Sequence, residues 1–164
     1  MTLNPCIAAG ALALAASAGM AATAPRETDE LLARINAYRA AGARCGSQAM
    51  AAVRPLAWDA ALERAAAVQA QHLARIDDVT HTGADGSNVS QRVSAQGYEW
   101  GHVGENVAAG KDSAAATLAQ WMASPGHCRN LMGPQFERVA VAWHHSPGTT
   151  YKHYWVMVLA APLR

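Results

Sequence analysis

An α+β chain, with helices in its first two thirds and strands near its end, is what the sequence predicts, and three observations predict it. Apolar residues recur at helical spacing after Thr28 and again after Trp58. Two late segments, Arg138 to His145 and Tyr151 to Ala161, are rich in Val, Trp and Tyr and are separated by Ser146-Pro147-Gly148-Thr149-Thr150, the pattern of a β-hairpin. Strands and helices do not alternate as βαβ units would require. The 164 residues favour a single core, since a second would leave each too small.

The first charged side chain is Arg26. Before it stands an apolar run from Ile7 to Met20, followed by the small residues Ala21, Ala22, Thr23 and Ala24. This reads as a secretory leader over residues 1–24, leaving 25–164 as the folded domain. The competing reading is an uncleaved anchor; the Ala and Gly of the run offer little transfer energy to a bilayer. Export predicts a secreted protein, extracellular or periplasmic, with no integral membrane span once the leader is cut. Cys6 leaves with the leader, so Cys45 and Cys128 remain to pair in an oxidising compartment. That bond closes a loop of about 80 residues, for which chain entropy gives roughly 4.5 kcal/mol. Two buried free thiols are the alternative if the chain stays in a reducing compartment.

The 13 Lys and Arg face 12 Asp and Glu, so no broad field attracts phosphates, and nucleic-acid binding is not expected. Hydrophobic residues make up 51% but include a single Phe, which leaves five Trp and four Tyr as the large anchors of an alanine-rich core.

Thr28-Asp29-Glu30 opens the first helix, Leu31, Ile35 and Tyr38 line one face, and Gly42 ends it. Cys45 follows in a loop. A longer helix from Trp58 to Ile76 carries Leu62, Ala65, Ala66, Gln69, Leu73 and Ile76 on one stripe, with Asp59 near its start. Thr82 to Gly86 is a turn, and Ser87 or Asn88 caps a short helix ending at Gly97. Gly101 and Gly104 bracket an irregular segment. A further helix from about Asp112 to Ala123 stops before Ser124-Pro125-Gly126.

With the elements in place, a set of sequence blocks carries a resemblance. Asn36-Ala37-Tyr38-Arg39, Leu56-Ala57-Trp58-Asp59, His81-Thr82-Gly83-Ala84-Asp85-Gly86, Gly104-Glu105-Asn106-Val107-Ala108, Trp121-Met122-Ala123-Ser124-Pro125-Gly126-His127 and Tyr154-Trp155 occur in the order seen in bacterial members of the CAP superfamily. That superfamily groups cysteine-rich secretory, antigen 5 and pathogenesis-related proteins. The resemblance runs from about residue 28 to 161 and implies that 25–164 is a CAP (SCP-like) domain. It also implies a three-layer α-β-α sandwich, a small antiparallel sheet between helices, and a cleft holding two His and two acids. Carried onto this chain, the histidines are His81 and His127 and one acid is Glu105. The second acid has no match, because Ser124 stands where many eukaryotic members carry Glu.

Two neutral imidazoles can bind Zn²⁺, and an adjacent Glu can polarise its water or orient a ring. His81, Glu105 and His127 have none of the helical spacing of a His-Glu-x-x-His site, and a hydrogen-bonded His-Glu-His set fixing loop geometry is an equal reading. Two functions follow. One is a secreted binding or scaffold module whose cleft takes a lipid, peptide or cell-envelope ligand, expected to act as a monomer and not as an enzyme. The other is a metal-dependent hydrolase, a peptidase, with His81 and His127 on zinc and Glu105 as base.

Weaker candidates complete the reading. Asp85-Gly86 lacks the further acids of a calcium loop and reads as a turn, which Arg92 is expected to hold. A hairpin centred between Gly148 and Thr149 sets His144 opposite His153. Ser87, Ser90 and Ser124 lie near the cleft without a Gly-x-Ser-x-Gly elbow or a Ser-x-x-Lys pair, and a disulfide removes the Cys128 thiolate.

Overall fold

The computed structural model describes residues 27–164, so the predicted leader, its cleavage zone and Cys6 lie outside the described residues. Helix α1, Glu27–Ala41, ends before Gly42, whose φ of +74° and close approach to the Met50 carbonyl (2.9 Å from an added Cβ) require a residue without a side chain. Leu31 and Ile35 are buried as expected, but Tyr38 is exposed and the third inward residue is Arg39. Spacing of four residues carries the face from 31 to 35 to 39, and the guanidinium is accepted there because four carbonyls meet it. It donates to the carbonyl oxygens of Arg54 (2.8 Å), Leu131 (2.6 Å), Gly133 (3.1 Å) and Phe136 (3.4 Å). Burial, with Arg54 nearby, pulls its pKa down to about 10, so it stays charged at neutral pH.

Cys45, expected in a loop, instead closes a short strand, β1 (Ala43–Cys45), paired antiparallel with β2 (Gln48–Met50). Its sulfur is bonded to that of Cys128, as the cysteine arithmetic predicts, with the two Cα atoms 5.4 Å apart. Trp58, expected to open a helix, belongs with Ala57 to a strand, β3 (Ala57–Trp58). Backbone pairing wins there: Ala57 N–H donates to the Glu137 carbonyl (3.0 Å) and Asp59 N–H to that of Val139 (3.1 Å). Helix α2, Ala60–Ile76, then starts after Asp59, whose carboxylate accepts from Ala61 N–H at 2.8 Å and Leu62 N–H at 3.2 Å. Its buried stripe holds Leu62, Ala65, Ala66, Gln69 and Leu73 as predicted and adds Ala70 and Ala74, whereas Ile76 is exposed in the last turn.

Helix α3, Val89–Ala95, is held by a reciprocal cap between Asn88 and Gln91. The segment around Gly101 and Gly104 is not irregular: it is strand β4, Trp100–Ala109. Glycine at 104 serves packing, since a Cβ there would lie 2.9 Å from the Phe136 ring. Helix α4, Ala114–Ala123, ends at Ser124 as expected, yet the chain re-enters a helix at once, α5 (Pro125–Leu131), with proline at its first position where no N–H is needed. Strands β5, Arg138–His145, and β6, His153–Pro162, form the predicted hairpin. Its register differs by one residue: His153 faces His145, and His144 faces Tyr154. Lys152, at φ 64°, adds a left-handed residue on the β6 side and moves the centre of the turn to Thr149.

The four-stranded sheet runs β3-β5-β6-β4, antiparallel except for the short parallel pair β3–β5 at its edge. Side chains alternate across β6. Trp155, Met157 and Leu159 join Leu31, Ile35, Leu118, Trp121 and Leu131 on one face. Tyr154, Val156, Val158 and Ala160 meet Leu62, Ala66, Leu73 and Val93 on the other. Helices α1, α4 and α5 thus cover one side and α2 and α3 the other, which is the expected α-β-α sandwich.

Replacing both cysteines, C45S with C128S, is expected to cost about 2–5 kcal/mol, read as a lowered denaturation midpoint in urea. Arg39→Leu leaves several buried carbonyls without a donor and should cost at least about 3 kcal/mol in the same measurement.

Candidate functional site

Strand β4 is an edge strand, and adjacent residues on it point to opposite layers. Glu105 shares the face of Val107, toward α3. Asn106 shares the face of Ala108, toward α5. Two segments are brought to that edge, the loop carrying His81 and the first turn of α5 carrying His127.

The His81 segment is fixed through its backbone. Gln69, buried on α2, donates its amide to the carbonyls of Thr80 (2.9 Å) and Thr82 (3.2 Å). Arg92 on α3 donates to the carbonyls of Ser87 (2.8 Å) and His81 (3.2 Å), so it holds the Asp85 turn as predicted. Asp85 accepts from Ser87 N–H at 3.0 Å, which is turn geometry. Arg92 does more than the sequence reading assigned to it: its second terminal nitrogen meets Glu105 Oε2 at 2.5 Å, with both side chains buried. The other carboxylate oxygen lies 2.8 Å from Nδ1 of His81, whose side chain is 60% exposed. Glu105 therefore has a cationic or polar partner on each oxygen. Its charge is offset where solvent cannot reach it.

His127 is held from the opposite face. Asn106, fully buried, donates to the His127 carbonyl at 3.1 Å and accepts from Asn130 at 2.9 Å, and Asn130 also donates to the Glu105 carbonyl at 3.3 Å. Cys128, disulfide-bonded to Cys45, anchors the next residue. Asn106 and Asn130 are positioning residues that the sequence reading did not single out. Asn106 stood in view inside the Gly-Glu-Asn block, whereas Asn130 lies on the helix the sequence did not reveal.

The two imidazoles are driven apart in acidity. The hydrogen bond to Glu105 raises the His81 pKa above its ordinary 6.5. Burial lowers that of His127, and charge on His81 lowers it further. The pair presents one ring whose cation is favoured relative to a free imidazole and one whose cation is disfavoured.

Ser124, in place of a second acid, caps neither helix through its hydroxyl and leaves the edge with one carboxylate. Among the described residues no three His, Cys, Asp or Glu side chains gather where they would hold a metal ion. Since Glu105 is taken by Arg92 and His81, only two imidazoles remain, and this donor set does not fit a resident zinc. The sites at Ser87, Ser90 and Ser124 show no hydroxyl bonded to either histidine; the Ser90 hydroxyl donates to Asn88 at 2.7 Å.

Comparison with known proteins agrees with the fold. The model of the CAP, cysteine-rich secretory protein family matches residues 32–159. A curated Bacillus subtilis protein, YkwD, described as uncharacterized, is 24% identical over 94 residues, which are 57% of this chain and 37% of YkwD. Among solved structures, an extracellular protein from Bacillus anthracis containing an SCP domain superposes with a TM-score of 0.66 at 19% identity, over 82% of this chain and 40% of that one. An outer surface protein from Borrelia burgdorferi gives 0.60 at 21% identity, over 68% of this chain and 80% of that one. Venom allergen-like protein 4 of Schistosoma mansoni gives 0.56 at 12% identity, over 84% and 88%. At these identities the structures bear on the fold alone. The chain spans well under half the length of YkwD and of the Bacillus anthracis protein.

Titration of the ring protons by NMR should place His81 above 6.5 and His127 below it. The signs carry through to stability. A raised folded pKa at His81 contributes stability that is present below about 6.5 and lost as pH rises through the folded value. The lowered value at His127 makes the unfolded chain bind more protons, so stability falls as pH drops from about 6.5 through its folded value. His81→Ala should therefore cost more stability near pH 6 than near pH 9, and His127→Ala should reduce acid sensitivity, both read by urea unfolding across pH.

Proposed function

Because the chain belongs to the CAP, cysteine-rich secretory protein family, we propose that it is an exported binding module whose His81, Glu105 and His127 edge holds a lipid, peptide or cell-envelope ligand. The observation that carries this reading is the buried Arg92–Glu105 pair. Both oxygens of this carboxylate are engaged, one by an arginine and one by an imidazole, so Glu105 acts as a positioning residue that favours the His81 cation and orients its ring. The exposed His81 ring, whose cation the Glu105 hydrogen bond favours, suits an anionic group, such as a peptide carboxylate or a lipid phosphate. The disulfide and an apolar leader with small residues at its end support export into an oxidising compartment, and among the described residues no helix is long and apolar enough to cross a membrane. A monomer is the working state.

A second reading keeps one observation in its favour. Two histidines with acidities pushed apart are what acid–base chemistry uses, so a peptidase employing the pair is the alternative.

Glu105→Gln separates them. As a binding module the variant should change stability or ligand affinity modestly, within about tenfold, because shape and part of the hydrogen bonding survive. Peptidase turnover present in the parent and reduced on the order of 100-fold or more at unchanged melting temperature would reverse the conclusion. Zinc is tested alongside by calorimetry and elemental analysis. Two imidazoles should give a Kd of about micromolar or weaker, lost in either His81→Ala or His127→Ala.

A further inference from the structure

Away from the β4 edge, the sheet carries a row of parallel rings on the face covered by α1. Trp143 and Trp155 face each other across β5 and β6, with centroids 5.5 Å apart and planes inclined by 22°. The row continues from Trp143 to His153 (6.0 Å, 27°) and from His153 to His145 (4.5 Å, 20°). Its inner end borders a groove of about 220 Å³ lined by Trp58, Trp143 and Trp155 together with Thr28, Leu31 and Glu63. This groove shares no residue with the His81, Glu105 and His127 edge.

Two of its indoles are locked in orientation. Trp155 donates its ring N–H to the Lys111 carbonyl at 2.7 Å, and Trp58 donates to Glu63 Oε2 at 2.8 Å. Trp143 has no such tether among the described residues and is 47% exposed, a large apolar ring left partly in water at the mouth of the groove. Glu63 lines the same space, and its second oxygen has no hydrogen-bond partner among the described residues. The site therefore offers the exposed ring of Trp143, backed by the buried and hydrogen-bonded Trp155, together with the half-buried Trp58 and one carboxylate acceptor.

We infer that this groove binds one ring of a neutral, β-linked polysaccharide. A pyranose with equatorial substituents presents axial C–H groups on its faces, and these meet the negative face of an indole. Its hydroxyls donate to a carboxylate. Charge and size argue against a lipid. Glu63 repels a fatty-acid carboxylate or a phosphate, and the space falls below the roughly 300–1,000 Å³ of pockets that enclose larger ligands.

The probe is the β-1,4-linked trisaccharide of N-acetylglucosamine, titrated into the purified protein by tryptophan fluorescence and calorimetry. Saturable binding with Kd on the order of 1 mM or tighter is expected. Trp143→Ala should weaken it at least about tenfold while Trp143→Phe, which keeps a ring, recovers most of the loss. Glu63→Gln should weaken it about threefold, and His81→Ala should leave it unchanged, so that failure of the edge site and failure of this one are distinguishable. Because Trp143 is at the surface, its variants should retain the parent melting temperature. Absence of saturable binding, equal affinity in Trp143→Ala, or dodecanoate binding that competes with the trisaccharide would each overturn the assignment.

Discussion

Strand β6 is the constraint on which the remaining structure depends. Every side chain from Tyr154 to Ala161 is buried, because helices cover both faces of the sheet and β4 and β5 flank it. A strand buried on both sides gains area from two cores at once, and each helical layer finds its apolar counterpart in alternate residues of the same strand. A one-residue slip would carry Trp155 and Met157 into the α2 layer, where the facing surface is largely alanine. Register is thereby specified by the difference in size between the two layers.

The same alternation builds the candidate site at the β4 edge. Because β4 pairs with β6 in a defined register, adjacent residues Glu105 and Asn106 send a carboxylate to one layer and an amide to the other. Each clamps a different segment: Glu105 reaches Arg92 and the loop of His81, and Asn106 reaches His127 and Asn130 on α5. The two histidines come to a common rim because their anchors are neighbours on one strand. Burial of Glu105 is tolerated only because Arg92 accompanies it, and the Arg92 guanidinium also serves the loop carbonyls, so the charge pair and the loop conformation stand or fall together.

The outer end of the hairpin shows the opposite use of side chains. Where β5 and β6 run beyond the cover of the helices, the buried aliphatic residues give way to Trp143, His145 and His153, rings that tolerate water on one side and stacking on the other. The polar edge at β4 presents charged and hydrogen-bonding groups and the tryptophan groove flat apolar surface, so the two differ in the chemistry they expose.

Sequence alone determined the class of the fold, the second helix with most of its stripe, a short helix capped at Ser87 or Asn88, the hairpin and the cysteine pair, because each rests on local periodicity, on a capping residue or on counting. His81, Glu105 and His127 were legible through ordered motif blocks, not through any spacing of their own, since they lie on three separate elements. Only the tertiary structure decided that Arg39 and not Tyr38 turns inward, since four carbonyls from distant segments must converge before burial of a guanidinium is tolerated. It alone made a strand of the glycine-containing segment before Glu105, where pairing with β6 and the Phe136 ring override weak β-propensity. It also set the hairpin register, through one left-handed residue at Lys152, and revealed α5, whose Asn130 completes the clamp on the site. Contacts between segments far apart in the chain carry the energy of these features, and no local pattern records them.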